Sequence, residues 1–458
     1  MKILILGAGQ VGSTLAENLS DEHDITIIDQ NQSQLMRLQQ RMDIRTVVGI
    51  ASHPEVLEDA GAEEADMLIA VTSSDEANLI ACQIAFSLFK VPTKVARVRH
   101  RTISDQSALF GPGHLAVDTV INPAQLVTRR IKRQIDHPGT LMMLDFAEGL
   151  IQMAAVRAIP ASPLVGRQVR ELCQDLADVP VKLVSVIRNG QALLATDDLL
   201  IEAHDEVYYC TEPEHVNTIT QILLEQEQRY RRIMLAGGGH IGIALAQALE
   251  NDYKVKLLDS NTKQCEMAAE QLHKAVVLNG DAADEALLTS ENIDEVDLFC
   301  SITNDDEANI MSAIVAKRLG AKRTVALVNR QTYAHYLIER SPDIDMAISP
   351  QRITGGKLLT FLRKGDMVNV YPLSWCHAEA IEVIAHGDEK SSKIIGKNLA
   401  DIRLPDDTAV AALLRHEQVI MAQDDVVIEA GDHVILFVGD KRHVGDIEAL
   451  FQVAPSFM

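Results

Sequence analysis

Two glycine-rich segments of the chain could each bind a phosphate group. Both read Gly-X-Gly-X-X-Gly directly after a short apolar run, and Gly7 of the first corresponds to Gly237 of the second. Such a turn brings free backbone N–H groups and the positive end of a helix dipole to one point, so it binds an anion without a lysine. The predicted loops are Gly7, Ala8, Gly9, Gln10, Val11 and Gly12, and Gly237, Gly238, Gly239, His240, Ile241 and Gly242.

An acidic residue follows each loop at the end of the next apolar run. These residues are Asp29 and Asp259. A carboxylate at this point accepts hydrogen bonds from both hydroxyls of a ribose and repels a 2′-phosphate. The sequence therefore favours NAD(H), or the ribose of an adenine nucleotide, over NADP(H). The alternative is that the glycines only form a tight turn, but strand, glycines, helix and acid occur in this order twice.

A third repeated segment begins after the predicted fourth strand of each copy. Thr72 to Asn78 recurs as Thr303 to Asn309. Open α/β sheets bind ligands at the carboxyl ends of their strands, so we predict ligand contacts from Thr72 and Ser73, and from Thr303 and Asn304. The acids that follow have two interpretations, because Asp and Glu are also favoured in the first turn of a helix without any ligand.

Composition limits the classes of function. The chain has 458 residues, 47% of them hydrophobic, and a formal net charge of −23. The charge argues against nucleic-acid binding and direct membrane binding. No run approaches 18 apolar residues, and the N-terminal run ends at a glycine after five residues, so we expect a cytoplasmic protein. The cysteines have no metal-ligand spacing, and no metal site is expected. They are Cys82, Cys173, Cys210, Cys265, Cys300 and Cys376.

A second, smaller module alternates with the glycine-loop module. Ile201 to Val207 matches Ile428 to Val434 in the pattern I-E-A-x-D-x-V, and Asn189-Gly190 predicts a hairpin. The fold class expected is α/β, with two tandem Rossmann-like, doubly wound parallel-sheet lobes, each followed by a small α+β lobe. The predicted parts are the first large lobe (1–122), a connector (123–140), the first small lobe (141–226), the second large lobe (230–348), a connector (349–366) and the second small lobe (367–458).

Together these motifs resemble the RCK (KTN) domain, twice in tandem, over essentially the whole chain. The resemblance implies a regulatory protein of bacterial potassium uptake that binds NAD(H) and ATP or ADP. It further implies a homo-tetramer with eight RCK domains in a ring, peripheral on the cytoplasmic face of the inner membrane through a potassium-conducting membrane subunit of the TrkH type. The family's binding positions map here onto both glycine loops, Asp29, Thr72, Ser73, Arg97, Asp259, Thr303 and Asn304.

The two copies differ at positions that could contact a nucleotide. The family pattern Gly280-Asp281 is replaced in the first copy by Gly49-Ile50, which removes an acid that could contact the adenosine side. Conversely, Arg97 and Arg99 in the first copy correspond to Leu327 and Asn329. Guanidinium groups pair with phosphate, so we predict that the two sites prefer different ligands.

A NAD-dependent oxidoreductase is the alternative function. Rossmann units with NAD specificity often belong to dehydrogenases, and fold alone does not decide function. However, no tyrosine has a lysine four residues later, the histidines are scattered, and the small lobes are too short to form a catalytic domain. The sequence therefore predicts a protein that is not an enzyme.

Overall fold

The computed structural model describes residues 1–20, 23–111, 113–160, 162–224, 230–330, 333, 343–359, 367–373 and 378–453. Cys376 and residues 360–366 of the second predicted connector lie outside the described residues. The chain forms two compact units: residues 1–130 together with 231–355, and residues 131–230 together with 356–458. The first unit thus holds both large lobes, and the second holds both small lobes.

The first large lobe is a six-stranded parallel sheet with the strand order β3-β2-β1-β4-β5-β6. Its central strand β1 is buried on both faces, which explains the unbroken apolar run after Lys2. The strands are β1 (Lys2–Leu6), β2 (Asp24–Asp29), β3 (Arg45–Val48), β4 (Met67–Ala70), β5 (Thr93–Arg97) and β6 (Thr119–Ile121). The helices are α1 (Gln10–Leu19), α2 (Gln32–Gln39), α3 (Pro54–Asp59), α4 (Asp75–Ser87), α5 (Arg101–Ser104) and α6 (Pro123–Asp136).

The first small lobe is a five-stranded antiparallel sheet with the order β10-β9-β11-β8-β7. Its elements are β7 (Thr140–Phe146), β8 (Ile151–Arg157), α7 (Val169–Asp175), β9 (Val181–Arg188), β10 (Gln191–Leu194), β11 (Glu206–Thr211) and α8 (Val216–Leu224). Asn189 and Gly190 join β9 to β10, both at positive φ. The predicted two-residue hairpin is therefore confirmed.

The second large lobe repeats the first, with the order β14-β13-β12-β15-β16-β17. Its strands are β12 (Arg232–Ala236), β13 (Lys254–Asp259), β14 (Val276–Asn279), β15 (Leu298–Ser301), β16 (Arg323–Leu327) and β17 (Met346–Ile348). Its helices are α9 (His240–Leu249), α10 (Thr262–Gln271), α11 (Glu285–Ser290) and α12 (Asp306–Arg318), and α13 (Pro350–Leu359) follows β17.

The second small lobe has the order β18-β19-β22-β20-β21, the topology of the first small lobe. Its elements are β18 (Met367–Pro372), β19 (Glu379–Ile384), β20 (Thr408–Arg415), β21 (Gln418–Met421), β22 (His433–Val438) and α14 (Val444–Phe451). Residues of both small sheets share one buried cluster, in which the rings of Tyr208 and Phe437 lie 6.2 Å apart. The predicted fold class is confirmed.

The repeated I-E-A-x-D-x-V motif has a structural role in the small lobes. Asp205 is buried and accepts hydrogen bonds from the Arg188 guanidinium (2.9 and 2.7 Å) and from the Glu202 N–H (2.8 Å). Asp432 makes the same contacts with Arg415 and Glu429. A buried carboxylate needs such partners. The motif therefore fixes a turn.

Candidate functional site

The glycine loop of the first large lobe has three glycines with three different environments. Gly7 has a φ of +105°, which a side chain disfavours, and a Cβ there would lie 3.0 Å from the Thr72 Cα. A Cβ on Gly12 would lie 1.9 Å from the Gly7 carbonyl oxygen. Gly9, in contrast, has ordinary extended backbone and no atom within 4 Å of its ideal Cβ. The protein itself therefore does not require glycine at position 9.

The second loop repeats this arrangement. Gly237 has a φ of +122°, and a Cβ on Gly242 would lie 1.8 Å from the Gly237 carbonyl oxygen. Gly239 again has nothing within 4 Å of its ideal Cβ. A Cβ on Gly238 would lie 3.2 Å from Asp259, whereas the first loop has Ala8 at that position. In both loops, space is open at the middle glycine, where a pyrophosphate approaches the backbone in Rossmann folds.

The predicted ribose acids lie against the glycine loops. The Asp29 Oδ2 accepts a hydrogen bond from the Ala8 N–H (2.7 Å), and its Oδ1 accepts one from the Asn31 N–H (2.8 Å). Asp259 makes matching contacts with the N–H groups of Gly238 (2.6 Å) and Asn261 (2.7 Å). A carboxylate has about four acceptor sites. Each acid is thus held in place with acceptor capacity left for ribose hydroxyls.

A buried asparagine organises the loop after the fourth strand, and the sequence analysis did not assign it a role. The Asn78 Oδ1 accepts hydrogen bonds from the Thr72 N–H (2.9 Å) and hydroxyl (2.7 Å), and its Nδ2 donates to the Arg97 carbonyl oxygen (2.9 Å). Asn309 does the same with Thr303 and Leu327. The sequence did hold one indication of this role, because the asparagine recurs at the same position in both copies.

The polar residues that follow this loop form hydrogen bonds within the protein itself. Ser74 is the N-cap of α4, with its Oγ accepting from the Ala77 N–H (3.1 Å). Asp75 is buried, and its Oδ2 accepts from the N–H groups of Arg99 (2.8 Å) and His100 (2.9 Å). Asp306 binds Asn329 and Arg330 in the second copy. These acids therefore join the start of a helix to the end of the next strand.

The two arginines of the first lobe lie beside the Thr72–Ser73 loop. The Arg97 Nη2 donates to the Thr72 carbonyl oxygen (2.6 Å), and the Arg99 Nη2 donates to the Ser73 carbonyl oxygen. The Arg97 Nε is buried without a hydrogen-bond partner among the described residues. Burial, followed by the neighbouring charge of Arg99, lowers the pKa of Arg97. This partly satisfied cation favours an anion nearby, and the counterpart Leu327 is an apolar buried residue.

The remaining predicted residues have these positions. Thr303 lies against Gly237, because a Cβ there would be 3.0 Å from the Thr303 nitrogen. Asn304 follows it in the same loop. Asp281 is exposed just after β14, with its Oδ1 accepting from the Ala283 N–H (2.9 Å), and Ile50 in the first copy is also exposed. Val11 and Ile241 lie in the first turns of α1 and α9, after Gln10 and His240.

The part of the chain that the structure describes contains no group of three or more His, Cys, Asp or Glu side chains suited to a metal ion. It also contains no helix long and apolar enough to cross a lipid bilayer.

Sequence comparison identifies the family. The TrkA-N domain model matches residues 3–123 and 233–350, which are the two large lobes, and the TrkA-C domain model matches residues 389–452. The chain is 47% identical to the Trk system potassium uptake protein TrkA of Halomonas elongata and 46% identical to that of Vibrio alginolyticus. Each alignment covers 100% of both proteins. The chain belongs to the TrkA family.

Solved structures of GsuK have the same fold. The GsuK RCK domain aligns with a TM-score of 0.63 over 98% of this chain and 94% of that chain. A GsuK channel bound to NAD aligns with a TM-score of 0.62 over 98% of this chain and 78% of that chain. Both are 18% identical in sequence, so this likeness concerns the fold.

Membership of the TrkA family decides between the two functional classes. The relatives that match over their full length are potassium uptake proteins. This confirms the prediction that the chain is not an enzyme, against the oxidoreductase alternative. The chain is a TrkA-type protein of potassium uptake with tandem repeated domains.

Proposed function

We propose that the chain is a nucleotide-binding regulatory subunit that gates potassium uptake, with one nucleotide site in each large lobe. The observation that carries this proposal is the open space at Gly9 and Gly239 beside a fixed acid. Gly7 and Gly12 are explained by contacts within the protein, but the middle glycine of each loop is not. A ligand that must approach the backbone explains it.

The ligands proposed are NAD(H) and ATP or ADP. Asp29 and Asp259 are held against the glycine loops, and we assign them to the hydroxyls of an unphosphorylated ribose. The backbone N–H groups at the helix starts are assigned to the phosphates. Two structures of GsuK, one bound to NAD and one bound to ADP, support this choice of ligands. Site residues are those predicted above, including Asp281 in the second lobe.

The first site is the better candidate for a ligand with more phosphate charge. Arg97 and Arg99 lie beside the Thr72–Ser73 loop, and Leu327 and Asn329 replace them in the second site. A guanidinium that faces a phosphate makes charge-assisted hydrogen bonds. We therefore assign ATP or ADP preferentially to the first lobe and NAD(H) to the second.

The proposed assembly is a homo-tetramer whose eight RCK domains form a ring on the cytoplasmic face of the inner membrane. A membrane potassium-conducting subunit of the TrkH type is the proposed partner. The curated relatives belong to the Trk potassium uptake system, which supports a partner of this class. A strongly negative chain is poorly suited to anionic lipid, which favours attachment through a protein partner.

Gating requires that nucleotide bind one conformation of the ring better than another. A ligand with equal affinity for two conformations does not change their populations. Each site contributes a coupling free energy, typically about 1 to 3 kcal/mol. A ring with several identical sites adds these contributions, so modest preferences per site suffice to open or close a pore.

The test is a double variant, Gly9→Val with Gly239→Val, in cells that lack their own regulatory subunit. The Cβ of each added side chain has no protein atom within 4 Å, so the chain should fold and assemble. Potassium uptake, and channel current in a bilayer, should become insensitive to NADH, ATP and ADP. The matched control is Gly445→Val, at an exposed glycine of α14 with nothing within 4 Å of its ideal Cβ. Unchanged nucleotide responses in the double variant would refute the proposal.

A further inference from the structure

One buried side chain connects the two large lobes at the edge of the first nucleotide site. Gln351, in the first turn of α13, is 6% exposed. Its Nε2 donates to the Gln10 Oε1 (2.8 Å) in the first glycine loop and to the Asn329 Oδ1 (3.2 Å) after β16. A residue that follows the second large lobe is thus hydrogen-bonded to a predicted site residue of the first.

Neighbouring groups fix the orientation of each amide in this network. Asp306 accepts from the Asn329 Nδ2 (3.0 Å), which leaves the Asn329 oxygen to accept from Gln351. The Gln351 oxygen accepts from the Ser349 hydroxyl (3.0 Å), which leaves its nitrogen for Gln10. If the amide oxygen and nitrogen of Asn329 or Gln351 were exchanged, two acceptors or two donors would face each other. The network therefore has one consistent arrangement.

The network ends at the second nucleotide site. Asp306 is buried and begins α12, three residues after Thr303. It accepts from the N–H groups of Asn329 (2.8 Å) and Arg330 (2.8 Å), so it holds the end of β16 against the start of α12. A continuous set of hydrogen bonds thus runs from Gln10 through Gln351 and Asn329 to Asp306.

The corresponding positions of the other copy cannot form the same network. Ala124 occupies the position of Gln351 after the Asn-Pro step of the first connector, and Arg99 occupies the position of Asn329. An alanine has no donor or acceptor to reach the second glycine loop. The hydrogen-bonded connection therefore runs through the second connector.

We propose that Gln351 couples the two nucleotide sites, through the hydrogen-bonded relay Gln10–Gln351–Asn329–Asp306. This inference rests on the proposed nucleotide binding. A phosphate that displaces the Gln10 side chain at the first loop removes one of the two acceptors of the buried Gln351 Nε2, which leaves Asn329 as its remaining acceptor. Gln351 then shifts towards Asn329, and Asn329 and Asp306 move with it. Occupancy of the first site thereby changes the loop that forms the second, and the effect on affinity is reciprocal.

The test is amide hydrogen exchange on the full-length protein carrying Gly239→Val, with NADH and, separately, ADP as probes. This background directs nucleotide to the first site. When nucleotide is added, we expect the amides of residues 7–12 to become protected. We also expect the exchange rate at residues 303–309 to change about fivefold. Adding Gln351→Ala should leave the protection of 7–12 and reduce the distant change to less than about twofold. Asn329→Ser, which interrupts the relay one step later, should do the same.

Gln125→Ala is the matched control, because Gln125 lies on the other connector and its amide binds Asp105 within its own lobe. It should leave the distant change intact. A distant change that persists in Gln351→Ala and Asn329→Ser, or that is absent from the starting protein although 7–12 are protected, overturns the relay. A lack of protection at 7–12 would instead refute nucleotide binding at the first site, and the relay with it.

Discussion

The two large lobes have the same framework but different side chains around it. Both have a positive-φ glycine, a close glycine contact, an acid held by the loop and a buried asparagine that fixes the next loop. They differ at Arg97 and Leu327, and at Ile50 and Asp281. Contacts within the protein therefore preserve the shape of the site, and the ligand preference that we propose rests on the few side chains that differ.

The largest effect should come from the glycine that the framework needs. Gly12→Ala places a Cβ 1.9 Å from a carbonyl oxygen and should lower the free energy of unfolding by at least about 3 kcal/mol. Gly9→Ala meets no atom and should cost less than about 1 kcal/mol. Urea denaturation followed by circular dichroism measures both. Equal losses of unfolding free energy would contradict the assignment of a structural role to Gly12 and of a binding role to Gly9.

The next effect concerns the ribose acids. Asp29→Ala in the Gly239→Val background should weaken nucleotide binding about tenfold or more, because hydrogen bonds to a charged group contribute about 1.5 to 3 kcal/mol. Asp259→Ala in the Gly9→Val background should do the same at the second site. Titration calorimetry measures both affinities. An unchanged dissociation constant would show that the acid serves only to hold the loop.

A smaller and asymmetric effect is expected for Arg97→Leu, which gives the first site the residue of the second. Affinity for ADP at the first site should fall about tenfold, because a charge-assisted contact to phosphate is lost. Asp259→Ala in the same protein should have no influence on that loss. The measurement is competition between ADP and NADH for the first site, in the parent and in Arg97→Leu, with the second site blocked in both by Gly239→Val. Equal affinity of parent and variant would refute the assigned ligand preference.

The smallest predicted effect concerns how the stability of the second large lobe depends on pH. Burial alone would raise the pKa of Glu250, but hydrogen bonds from the N–H groups of Lys274, Ala275 and His273 outweigh it and lower the pKa overall. The stability that this carboxylate contributes is therefore present above its unfolded pKa of about 4.3 and is lost as the pH falls through the lower folded value. Glu250→Gln should cost about 1 kcal/mol at neutral pH, and the difference should shrink below about pH 4.

Thermal denaturation from pH 7 to pH 3 measures this difference. The matched control is Ser20→Ala, because Ser20 ends α1 at the position where Glu250 ends α9. Its effect should not depend on pH, since serine does not titrate in this range. A Glu250→Gln difference that grows as the pH falls would contradict the assigned direction of the pKa.

Local patterns in the sequence predicted the framework because the backbone requires specific residues there. Gly7 has a positive φ, Gly12 has no room for a Cβ, and the hairpin at Asn189 and Gly190 needs positive φ twice. Each of these backbone requirements appears in the sequence as a residue type at a fixed spacing. Because the glycine pattern occurs twice with the same neighbours, a chance match could be set aside. For the same reason the α/β fold class and the RCK resemblance could be predicted.

Contacts between distant residues were not predictable from one sequence. Asn78 resembles any polar residue in the first turn of a helix, although it is fully buried and holds Thr72. Gln351 and Gln10 are 341 positions apart, and no periodicity relates them. The positions of Arg97 and Arg99 are of the same kind, because their side chains bind the successive carbonyl groups of Thr72 and Ser73, more than 20 positions earlier in the chain.

The number of nucleotides bound per full-length chain tests the two proposed sites together. Titration calorimetry with NADH and with ADP should give two sites per chain in the parent and one in Gly9→Val and in Gly239→Val. It should give none in the double variant, and each single variant should retain the ligand preference of its intact lobe. Two sites of unchanged affinity in the double variant would show that the glycine loops do not bind nucleotide.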